Sequence, residues 1–135
     1  MIRLLKSSWP AVLFIYVVGA NAGAQARATS PVGTWTGTSR CTGASATCND
    51  EHVVFRISAG DRASTMVLDG ARVSGSDTVH MGALTVRRDT SGNGWLSEIP
   101  AGTWRFTFVA DSLGGTLTDR TGRLLRQVQA KRVRR

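Results

Sequence analysis

Few side chains in this 135-residue sequence have the types and spacing to do chemistry. Asn49, Asp50, Glu51 and His52 stand together in "NDEHVV", the second histidine is His80 in "TVHMGA", and Cys41 and Cys48 bracket "CTGASATC". Two imidazoles and a carboxylate form a common metal set, so a metal or hydrolytic site would draw on His52, His80 and either Asp50 or Glu51. No H-x-H or H-E-x-x-H spacing supports one. The acids read better as a polar turn, and the histidines as residues on the wet faces of strands. A G-x-S-x-G elbow is absent, and the glycines make no phosphate cradle ahead of a helix. Met66 and Met81, among leucine and valine, fit core packing. The residues give no catalytic group, metal ligand or cofactor, and the chain is not read as an enzyme.

The cysteines depend on the compartment. Arg3 and Lys6 precede the apolar run "WPAVLFIYVVGA" and the small-residue stretch "NAGAQARA". A basic head, a short apolar middle and an Ala-x-Ala end have the form of a secretory signal peptide, cut after Ala24 or, preferably, after Ala26. The unbroken apolar run, Ala11 to about Ala20, falls short of the roughly 20 residues that span a bilayer. Residues 1–26 are therefore read as a leader, with no transmembrane segment in the mature chain, which is exported to the periplasm or secreted. In such a compartment two cysteines default to a disulfide, Cys41–Cys48. The small, flexible residues between them let the two Cα atoms approach. Closing so short a loop contributes roughly 2 kcal/mol or less, and loss of the bridge is expected to leave the fold intact.

Removing 26 residues from 135 leaves 109, enough for one domain. The leader takes two of the 17 basic residues and no acid, which leaves 15 against nine, or +6. Seven of those 15 lie between Arg120 and Arg135, where there is no acid. The basic C-terminus suggests adhesion to an anionic envelope surface, but an outward basic face on a last strand, with a frayed tail, explains it more simply. No basic helix or aromatic platform is apparent, so nucleic acid is not an expected partner.

The rest of the chain must be β. "HVVFRIS" puts Val53, Phe55 and Ile57 on one face; "GTWRFTFVA" does the same with Trp104, Phe106 and Phe108. Period-2 alternation marks strands with one buried face. Turn signals such as "SAGDRAS", "DGAR", "SGSD" and "DRTG" recur about every ten residues. The expectation is an all-β chain with strands near 32–39, 52–59, 63–69, 71–75, 78–87, 94–99, 103–110, 114–119 and 122–131. Eight or nine short antiparallel strands in a meander best remove their edges by closing into a single small barrel. This gives a leader (1–26), a short linker (27–31), a barrel domain (32–130) and a basic tail (131–135).

"GTWTGTS" on the first strand of an exported all-β chain resembles the start of the lipocalin-like, or calycin, barrels. The match is Gly33, Thr34 and Trp35, with Gly37 giving the Gly-x-Trp-x-Gly spacing of some small bacterial barrels. The chain is also similar to small exported bacterial proteins of unassigned role, through its cysteine loop, its "DEHVVFRI" strand and its closing "WRFTF…GTLTDRTGRLLR". The resemblance implies that Trp35 closes one end of the barrel under a basic residue of the last strand, Arg123 or Arg126. It also implies a small apolar ligand, with Trp104, Phe106 and Phe108 lining the interior. The alternative is a barrel packed solid that acts by surface recognition, as an envelope interaction module or enzyme inhibitor, through loop 40–49 and turn 87–94. Ligand binding ranks first and an enzyme third.

Overall fold

The computed structural model describes residues 30–43 and 47–134. The leader expected at 1–26 lies outside them. Eight strands follow in order: β1 (Gly33–Cys41), β2 (Glu51–Ala59), β3 (Thr65–Ser74), β4 (Asp77–Arg88), β5 (Trp95–Ile99), β6 (Gly102–Val109), β7 (Ser112–Thr118) and β8 (Leu124–Arg132). Each pairs antiparallel with the next, and β8 returns to β1, so the sheet is a closed up-and-down barrel. Closure leaves no outer edge on the first and last strands.

Alternation in sequence becomes inside and outside here. Val53, Phe55 and Ile57 on β2, Met66 and Leu68 on β3, Phe106 on β6 and Val128 on β8 are all buried in one core. Two short strands expected at 63–69 and 71–75 are one strand, β3. "DGAR" is not a turn but an irregularity, where the β3–β4 register shifts between Gly70 and Ala71. An extra residue on β4, Met81, absorbs the shift, and Gly82 beside it holds φ 131°. Gly and Asp therefore mark a bulge rather than a reversal. β8 extends to Arg132, two residues beyond the expected end of the domain, so Lys131 and Arg132 belong to the barrel.

Two glycines let strands and side chains approach. A Cβ on Gly37 would run into the Gln129 carbonyl oxygen across the β1–β8 ladder. One on Gly115 would sit 2.9 Å from Phe106 Cδ1 and 3.2 Å from Val128 Cβ. "ADSLGG" reads as a turn by composition, but only Ala110 and Asp111 turn, between β6 and β7. Its glycines lie in β7, and Gly115 makes room for Phe106.

Two turns are built alike. Asp89 accepts from the backbone N–H and hydroxyl of Ser91 at 3.0 and 2.8 Å, and from Arg105 Nη1 at 2.7 Å. Asp119 accepts from the N–H and hydroxyl of Thr121 and from the N–H of Arg123. Such bonds favour the charged carboxylate. The Arg105 guanidinium first, then Ser91, hold the Asp89 carboxyl at about 2, below its ordinary 3.8. Asp119 is lowered as well, chiefly by the Thr121 hydroxyl.

Two outcomes follow from this packing. Gly115→Val should overpack the core and cost about 1–3 kcal/mol in denaturant unfolding, whereas Gly43→Ala, with open space around it, should cost little. For Asp89, ionised in the fold at a pH where the unfolded chain binds a proton, the stabilisation is present above its ordinary pKa. It is lost as pH falls from about 4 towards 2. Melting curves of Asp89→Asn should accordingly show a shallower fall with acid over that range.

Candidate functional site

The two ends of the barrel are built differently. At the closed end the Trp35 indole is fully buried and donates its Nε1–H to the Pro31 carbonyl at 2.9 Å. Phe108 meets it edge-on, with ring centroids 5.4 Å apart. The guanidinium of Arg132 lies over the indole face, 4.5 Å from its centroid. That guanidinium also donates Nη1 to the Val32 carbonyl at 2.8 Å, Nη2 to the Ser30 carbonyl at 2.6 Å and Nε to Asp111 at 3.1 Å. A cation on an aromatic face, largely out of water and with its donors used, is a strong contact.

The basic partner of Trp35 is therefore Arg132, not Arg123 or Arg126. Register explains the difference: Trp35 pairs with Arg132 across the β1–β8 ladder, whereas Arg126 pairs with Cys41 at the far end. Arg123 lies in the β7–β8 turn, held by Asp119. Gly33, at φ 146°, is where the motif needs glycine, because L side chains rarely adopt that backbone conformation.

The opposite half is hollow. A cavity of about 310 Å³ lies above a floor of aromatic rings. Trp104 stacks on Phe106 at 5.3 Å and 11°, and Phe55 meets Phe106 edge-on at 6.4 Å. Of the three aromatics expected inside, Trp104 and Phe106 line this space. Phe108 does not, because it is spent on Trp35 at the closed end.

The cavity also reaches the wall. Four consecutive β4 residues, Met81 to Leu84, border it. The bulge at Met81 and the φ of 131° at Gly82 break the strand's alternation there, so consecutive residues reach the space. Beyond it β4 is thinly paired on its other side: the β4–β5 ladder has two register pairs, Arg87–Leu96 and Arg88–Trp95, and every other ladder has at least five.

A polar group faces the hollow from β1, β2 and β8. Arg126 donates Nη1 to Ser39 Oγ at 2.9 Å and Nη2 to the Asn49 carbonyl at 3.1 Å. Glu51 lies 3.9 Å from Arg126 and 3.8 Å from Arg72. Cys41 and Cys48 are bridged, with Cα atoms 6.0 Å apart. Asp50 accepts from the Cys41 N–H at 2.9 Å, and Thr42 bonds the carbonyls of Leu124 and Leu125. The bridge thus fastens the chain beside Asn49 to the end of β8.

The histidines do not join this group. His80 pairs with Asp69 on the outer wall and His52 is exposed on β2. Among the described residues no three His, Cys, Asp or Glu side chains converge on a metal position, and no helix is long and apolar enough to cross a membrane. Much of the basic C-terminus is engaged within the chain: Arg123 on Asp119, Arg126 at the cavity, Arg132 on Trp35 and Arg134 on Asp111. Ser39 and Glu51 escaped the sequence reading as cavity residues. They share the inward parity of Trp35 and Val53, which would have found them.

No protein-family model matches the chain, and no curated protein matches it. The fold, a closed eight-stranded antiparallel meander, is compatible with a calycin-like barrel.

Arg132→Met should lower the stability by about 1–2 kcal/mol, since it removes the cation from the buried indole, while the exposed Ser30 and Val32 carbonyls turn to water. Arg132→Lys, which keeps a charge but not the planar fork, should fall between the two. Denaturant midpoints would measure both.

Proposed function

We propose that this protein is an exported carrier or sequestering barrel that holds a small apolar molecule in its mouth-side cavity, in the periplasm or outside the cell. The observation that carries this reading is the asymmetry of the interior. One half is plugged by Trp35, Phe108 and Arg132, with only a polar hollow beside it bordered by Ser30, Arg88 and Asn93, and the other keeps about 310 Å³ of mostly apolar space over Phe106 and Trp104. That volume is at the lower end of the roughly 300–1,000 Å³ typical of small-molecule sites, so the ligand is small. Mostly apolar walls with a few placed polar groups suit binding rather than turnover, and the reading includes no catalytic step. The Cys41–Cys48 bridge is in keeping with an oxidising compartment.

A neutral apolar dye such as N-phenylnaphthylamine tests it. The dye should gain fluorescence with the protein at one site per chain. Leu84→Trp, which fills the cavity from β4, should weaken it at least about tenfold while the melting temperature stays within a few degrees. Lys131→Glu on the outer wall should change nothing. No gain with the unsubstituted protein would contradict the proposal.

A further inference from the structure

The polar group at the cavity says what kind of small molecule fits. We infer that the ligand is a short single-chain amphiphile with an anionic head, its chain on the aromatic floor and its head on Arg126 and Ser39; this rests on the carrier reading above.

Arg126 is an unusual lining residue for so apolar a space. Its side chain keeps only 21% of its exposure, and its two hydrogen bonds go to neutral oxygens, Ser39 Oγ and the Asn49 carbonyl. The nearest carboxylate, Glu51, stands at 3.9 Å, outside hydrogen-bond range. Glu51 is shared with a second guanidinium, since Arg72 approaches its other oxygen to 3.8 Å. Arg126 and Arg72 thus share one carboxylate, while the neighbouring Asp50 is turned to the Cys41 N–H. A guanidinium withdrawn from water without a bonded counter-ion favours an anion beside it, because Coulomb attraction strengthens as solvent is excluded.

The geometry also gives a second donor. Ser39 is buried, at 5% exposure. Its oxygen accepts from Arg126, which leaves its own O–H to be offered elsewhere. An anionic head therefore meets the Arg126 fork and the Ser39 hydroxyl together. Glu51 does not block it. When the head takes Arg126, the carboxylate keeps Arg72 as partner. A cationic head would meet the Arg126 guanidinium, and a neutral alcohol would forgo the ion pair. The modest volume sets the chain at medium length.

The test is calorimetric titration of the folded, oxidised protein with decanoate, decanol and decylammonium, in parallel with the neutral dye. Decanoate should bind at least tenfold more tightly than decanol, and decylammonium most weakly. Arg126→Met should bring decanoate and decanol to the same affinity. Ser39→Ala, which leaves the Arg126–Asn49 bond in place, should narrow the ratio a few-fold, and it keeps the test open if the arginine variant fails to fold. Decyl sulfate and decyl phosphate in the same series tell whether a carboxylate or any anionic head is read, and tight binding of any of the three supports the inference. Binding of the dye with none of decanoate, decyl sulfate and decyl phosphate held more tightly than decanol would overturn it and leave the carrier reading standing. If neither the dye nor any decyl compound binds, both fall.

Discussion

The seven-residue pairing of β8 with β1 is the constraint from which the rest follows. It closes the barrel, and its register runs from Trp35–Arg132 at one end to Cys41–Arg126 at the other. Alternation along β8 then points Arg126, Val128, Ala130 and Arg132 inward. One arginine lands on the buried indole and the other beside Ser39. A slip of one residue would turn all four to solvent and bring Gln127 and Gln129 inside. Gly37 permits the close approach of the two strands midway along this ladder.

From that pairing comes the division of the interior. Arg132 uses its side-chain donors to tie Ser30, Val32 and Asp111 across the closed end. Phe108 completes the plug. Above it, Gly115 lets Phe106 lie flat against β7, and Trp104 stacks on Phe106 instead of filling the space beyond. The bulge after Gly70 and the short β4–β5 ladder leave the wall of the far half held mainly from one side. The same sheet therefore carries an aromatic plug at one end and an apolar space at the other.

Much of this was legible from residues alone. The alternating runs gave the strands, the turn residues their approximate ends, and the short cysteine loop its bridge. What failed to come through was register. Arg123 and Arg126 were reasonable partners for Trp35 by position near the C-terminus, yet only the pairing of β8 with β1 shows that Arg132 is the residue opposite. Phe106 and Phe108 look equivalent in an alternating strand, but one lies under the hollow and the other under the plug. "DGAR" has turn composition and serves as a bulge, since a bulge and a turn draw on the same small and polar residues.

The claim on which the account stands is that the mouth half of the barrel is a real apolar space. A crystal structure of the oxidised protein under xenon pressure addresses it directly, because xenon occupies dry apolar cavities without needing a matched ligand. The account predicts xenon density between Phe55, Phe106 and Leu84, below Arg126. A floor where Trp104, Met81 and Leu84 have closed over Phe106, with no xenon between them, would contradict it.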